Sequence, residues 1–197
     1  MANFLFLDFN FYVMRKLLIL SIAMGLFGLV AHSQSKTKLS KVKLTEKVTV
    51  YVPKKFTPME EGDIQQRYQS HRKPLALYTD DERLVDFGVN RSFSIWQESD
   101  IELLRAFYEA SILELYDKVE FYDQGVKIIN GHEFAFFEFH SVVMPETSFQ
   151  KSVHKYTYLM YALSGGTTYV FNFSCPYSRE AEWKQIAHSM MAAIKVK

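Results

Sequence analysis

Val48, Val50 and Val52 alternate with Lys47, Thr49 and Tyr51, a period of two that predicts a half-buried strand, and Pro53 stops it. A short helix is expected over 60–68. The runs 75–79 and 84–90 read as strands joined by the polar turn Asp80-Asp81-Glu82-Arg83, with Val85, Phe87 and Val89 sharing a face. From Ser99 to about Tyr116 the period becomes helical. Ile101, Leu104, Phe107, Tyr108, Ile112 and Leu115 form one apolar stripe, and Ser99 with Glu102 supplies the residue pair of a capping box.

Two hairpins are expected in the second half. Asn130-Gly131 separates 126–129 from 132–143, and this dipeptide suits a turn whose two central residues need positive φ. Gly165-Gly166 joins 154–164 to 167–174. A two-residue loop there pairs Leu163 with Thr168 and places Tyr156, Tyr158, Met160, Tyr169, Phe171, Phe173 and Cys175 on one core face. After Pro176, Ser178 can cap a last helix with Glu180 and Glu182 in its first turn and Trp183, Ile186, Ala187, Met190 and Ile194 as its buried stripe. Tight turns between successive strands and two long amphipathic helices define the class: α+β, a mostly antiparallel sheet flanked by helices.

The pattern at the amino terminus is different. Met14-Arg15-Lys16 precedes the apolar stretch 17–31 and then Ala31-His32-Ser33, with small residues at the two positions a signal peptidase reads. Residues 1–33 are therefore expected to be a secretory signal, with translation starting at Met14 or Met1. The 15-residue apolar core is shorter than the roughly 20 residues of a spanning helix, so cleavage is favoured and no membrane anchor is expected afterwards. Residues 34–45, rich in lysine, read as a flexible tether, and 46–197 as one domain.

Composition adds limits. The 197 residues are 48% hydrophobic and 23% charged with a net charge of +1, which is globular and gives no basic field for nucleic acid. Loss of Asp8, Arg15 and Lys16 with the signal leaves a formally neutral domain. Cys175 is the only cysteine, so the domain has no internal disulfide and depends on its core.

The element order, with stretches such as TYVFNFSCP followed by EAEWKQIAHSMMAAIKV, resembles the PsbP-like superfamily, which includes DcrB-like envelope proteins and the Ran-binding Mog family. The resemblance covers about Glu46 to Lys197. It implies an α/β/α sandwich and a non-enzymatic binding or assembly role, and it supplies no catalytic motif to transfer. A signal peptide fits the envelope branch better than the Ran-binding one.

Few residues suggest chemistry. Glu138 and His140 project from the same face of one strand, roughly 7 Å apart, and with His154 or His132 they are candidates for a proton relay or metal. A metal wants at least three ligands, and the alternative is plain hydrogen bonding to neighbouring tyrosines or lysines. Cys175 sits before a helix start, where a thiol can be activated, but it continues a core face and reads as buried and inert. His71, Arg72 and Lys73, beside Tyr68, form a small basic surface patch suited to an anion or acidic partner, and Trp96 is a further candidate surface aromatic. No G-x-S-x-G elbow or phosphate loop occurs. No cofactor is expected.

The expected function is an exported, periplasmic or extracellular binding or assembly module whose partner is an envelope or secreted protein or a small ligand. The alternatives are a hydrolytic or metal-assisted enzyme built on Glu138 and His140, and a carrier of hydrophobic ligands with an aromatic-lined cavity.

Overall fold

The computed structural model describes residues 37–68, 73–147 and 151–197. The secretory signal expected over 1–33 lies outside them, as do His71 and Arg72. In chain order the elements are β1 (Leu39–Lys43), β2 (Val48–Pro53), β3 (Thr57–Pro58), α1 (Glu61–Arg67), β4 (Ala76–Thr79) and β5 (Asp86–Phe93). A 3-10 turn (Glu98–Asp100) leads into α2 (Ile101–Leu115), followed by β6 (Lys118–Ile129), β7 (His132–Val143), β8 (Val153–Ser164) and β9 (Thr167–Pro176). A second 3-10 turn (Tyr177–Arg179) enters α3 (Glu180–Ala192), and β10 (Lys195–Val196) closes the chain.

Seven strands make one sheet in the order β3-β4-β5-β9-β8-β7-β6, and β1-β2-β10 make a second. Every pairing among the described residues is antiparallel. The expected turns form: Asn130 and Gly131 adopt φ of 51° and 84°, and the Gly165-Gly166 loop sets Leu163 opposite Thr168. These left-handed values are why glycine occupies three of those four positions.

Alternation along the strands feeds two cores on opposite faces of the large sheet. On one face Val85, Phe87, Val89, Tyr156, Tyr158, Met160, Phe171, Phe173 and Cys175 pack under α3 through Trp183, Ala187, Met190 and Met191, and Val48, Val50 and Val52 of β2 join them. On the other, Ala135, Phe137, Phe139, Tyr161 and Leu163 pack under α2 through Ile101, Leu104 and Ile112. Residues 37–197 form one compact unit.

Four expectations are corrected. Residues 39–43 are strand β1, paired with β2, and not tether. Leu39 and Val42 rest on the first core while Lys41 and Lys43 point outward, and lysines on an outer strand are a usual guard against edge-to-edge association. The capping box expected at Ser99 and Glu102 forms two residues earlier, on the 3-10 turn that leads into α2, where Asp100 accepts the Gln97 N–H at 2.8 Å. Of the α2 stripe, Phe107 and Leu115 are exposed, because α2 covers β6 and β7 through only part of its circumference. Ser178 lies inside the second 3-10 turn and provides no side-chain cap for α3.

Candidate functional site

Glu138 lies in the middle of β7 on the face covered by α3, between Glu133 and Val143 in a strand that is otherwise largely buried. Its own exposure is 3%. A buried carboxylate needs partners, and three converge on one oxygen, Oε1. Tyr156 Oη of β8 donates at 2.8 Å, His188 Nε2 of α3 donates at 3.0 Å, and Lys184 Nζ of α3 stands 3.4 Å away. Burial by itself would raise the Glu138 pKa. The His188 and Tyr156 hydrogen bonds, with the charges of His188 and Lys184, outweigh it and hold the carboxyl down at about 2. Tyr156 is pushed the other way, by burial first and then by the carboxylate it serves.

The network continues along α3. Lys184 also reaches Glu180 Oε1 at 3.0 Å and lies 4.1 Å over the ring of Tyr122, whose hydroxyl donates to Glu180 Oε2 at 3.0 Å. Glu180, Lys184 and His188 are four apart, one helix face. Beside them Lys127 donates to Tyr158 Oη and sits over the Phe136 ring at 3.9 Å. Burial lowers the Lys127 pKa, opposed by the charges of Asp123 and Glu138. Chemically, this is a clamp between helix and sheet. Glu138 is covered by α3, and its Oε1 is held by donors from both β8 and α3.

His140 shares the Glu138 face but belongs to a different group. Its Nε2 is 3.2 Å from His154 Nδ1, and Tyr177 stacks on it with ring centroids 3.9 Å apart. His154 is exposed, and its Nε2 is 2.9 Å from Ser152 Oγ. His132 is elsewhere, with Nε2 at 2.9 Å from the Leu163 carbonyl. Thus Glu138 joins His188, His140 joins His154, and His132 joins neither. Among the described residues, no group of three or more His, Cys, Asp or Glu is placed to hold a metal ion.

Cys175 is buried against the first core, and burial pushes its thiol up to about 12. Of the basic patch only Lys73 is described, exposed at the margin of a hollow it shares with Met59, Ile64 and Tyr68. Tyr68 itself is committed to structure: its hydroxyl donates to Asp86 Oδ2 at 3.1 Å, and Arg67 pairs with the same carboxylate.

Another feature was not anticipated from the pattern of polar residues. Where β5 ends, Phe93 is 98% exposed and Ile95 93% exposed. Trp96 follows, its ring 5.9 Å from that of Phe107 on α2, and Leu103 lies one turn before Phe107, also exposed. A depression of about 490 Å³ lined by Ile95, Trp96, Glu98 and Leu163 lies beside them. The signal was available in the sequence: Phe93 and Ile95 lie beyond the last alternating core residue of β5, and Leu103 with Phe107 doubles the width of the apolar stripe on α2.

No family model matches the chain, and no curated protein matches it in sequence. Several solved structures share its fold. The cyanobacterial PsbP protein of Synechocystis superposes with a TM-score of 0.54 at 12% identity, over 84% of this chain and 96% of its own. The Ran-binding protein Mog1p of Saccharomyces cerevisiae gives 0.54 at 14% identity over 81% and 96%. LpqN of Mycobacterium tuberculosis, described as involved in cell envelope biogenesis, gives 0.50 at 10% identity over 81% and 91%. The fold is PsbP-like.

Proposed function

We propose that the chain is an exported, non-enzymatic binding or assembly module of the cell envelope, and that the partner it holds is a protein. The observation that carries this reading is the apolar cluster at the end of β5. Two large side chains almost wholly in water, continued by Trp96, Leu103 and Phe107, are what a protein-contact surface looks like before it is covered. Support for a binding or assembly role also comes from the neighbours in fold, one described as Ran-binding and one as involved in cell envelope biogenesis. Support for export comes from the positive pair, apolar core and small residues of 15–33. The sealing of Glu138 under α3 weighs against an enzyme built on it, since substrate would have to displace the helix.

The test is site-specific photo-crosslinking in cells, with the reactive residue placed at Phe93, at Ile95, or at the exposed control position Lys155. An adduct of defined mass from 93 and 95 and none from 155 supports the reading. Equal adducts at all three positions, or none at 93 and 95, overturns it. Fractionation of the same cells checks export: the mature chain is expected outside the cytoplasm with its sequence beginning at Gln34.

A further inference from the structure

The face of the sheet that carries Glu138 ends, toward the start of β8, in two imidazoles brought together from neighbouring strands. His140 of β7 lies opposite Glu120 and Tyr156, while His154 of β8 lies opposite Val142, so the two rings meet diagonally across the β7–β8 ladder. Their facing nitrogens, His140 Nε2 and His154 Nδ1, are 3.2 Å apart. We propose that this pair is a binding site for a divalent transition-metal ion, two imidazoles from adjacent strands supplying its protein ligands and copper(II) binding most tightly.

The spacing is the first argument. With metal–nitrogen bonds of about 2.0–2.1 Å, two nitrogens on one tetrahedral ion stand about 3.3 Å apart, and at a right angle about 2.9 Å. The observed separation falls between those values, so the nitrogens can hold an ion when the exposed His154 ring turns, with the His140 ring left in place and no change in strand pairing. The outer nitrogens are the second argument. A metal-bound imidazole places its proton on the nitrogen away from the ion, where a hydroxyl or carboxylate holds it. Ser152 Oγ stands 2.9 Å from His154 Nε2, within hydrogen-bond reach, while Glu120 Oε2, 3.9 Å from His140 Nδ1, is beyond it and supplies only a nearby carboxylate. The tautomers that bind an ion are those in which each ring carries its proton on the outer nitrogen and turns the lone pair of the facing nitrogen to the ion. The third argument is rigidity. Tyr177 lies nearly parallel to the His140 ring, 20° between planes, which fixes one ligand before binding.

Glu138 takes no part, since its oxygen is engaged by Tyr156 and His188. No third His, Cys, Asp or Glu among the described residues joins the pair. Water or an external donor therefore completes the coordination, and the order among ions follows intrinsic affinity for nitrogen ligands, copper above nickel and zinc.

The test is titration of the purified full chain with copper(II), followed by calorimetry and electron paramagnetic resonance. One ion per chain with two nitrogen ligands is expected, together with a rise in melting temperature. H154Q changes an exposed residue and is expected to weaken binding about tenfold or more while the metal-free chain melts as before; H140Q is expected to match it. S152A, which removes only the outer partner, is expected to cost about tenfold. H132Q is the control and should leave the titration unchanged. Absence of saturable one-to-one binding, or full retention of it in H154Q, overturns the proposal. Neither result touches the photo-crosslinking at Phe93 and Ile95.

Discussion

Glu138 carries a charge where charges are costly, and its neighbours decide whether it stays. With the carboxyl held at about 2 against about 4.3 in an unfolded chain, the folded state gains stability from its ionisation. That gain is complete above about pH 4.3 and disappears as pH falls through about 2, an amount of about 3 kcal/mol. E138Q keeps an acceptor for Tyr156 and for the His188 N–H but not the negative charge that pairs with Lys184. Urea melts at neutral pH are expected to show a loss of about 2–3 kcal/mol, and the acid limb of stability between pH 4.3 and 2 should flatten. An unchanged acid limb would mean that the carboxylate is not clamped. Strand alternation alone puts Glu138 and His140 on one face, but it cannot say that α3 lays His188 and Lys184 over the first and leaves the second to His154. Helix-to-sheet docking joins residues 50 positions apart, and no local period encodes it.

Elements differ in how much of themselves local pattern reveals. The β2 valines, the β4–β5 turn, both glycine hairpins and the α3 stripe were legible because one side of each is buried and the other is not. β1 was not legible, because an outer strand with Lys41 and Lys43 facing solvent has the composition of a solvated linker. Its apolar half is only Leu39 and Val42, resting on the first core beside β2. This gives β1 a measurable role. A chain beginning at Glu46 is expected to be about 2–3 kcal/mol less stable than one beginning at Thr37, from the burial lost by those two side chains. It should also self-associate more readily, since β2 becomes an open edge. Equal melting temperatures for the two truncations would return 39–43 to the status of tether. The outer face of α2 marks the opposite failure. Phe107 and Leu115 fit a helical stripe, yet both stay exposed because only part of the α2 circumference is covered by β6 and β7, and a period cannot report how much of a helix its partner layer covers.

At the scale of the molecule, the sheet has a core on each face, and Cys175 reports on one of them. Its thiol is buried and pushed up to about 12, by burial first and then by the charge of Glu180. At pH 8 that leaves about one thiolate in ten thousand, where a free cysteine has about one in four. Reaction with a disulfide reagent must then pass through a state in which the β8–β9–α3 packing has opened. If the two cores separate only together, because the large sheet is the wall of both, labelling of Cys175 should accelerate with urea along the slope of global unfolding. Labelling at low urea with a shallow slope would instead show α3 lifting from the sheet while α2 stays docked. Pairing the measurement with E138Q separates these cases. Loosening the Glu138 clamp raises labelling in step with the loss of global stability if the molecule opens as a whole, and by more than that loss if α3 opens alone.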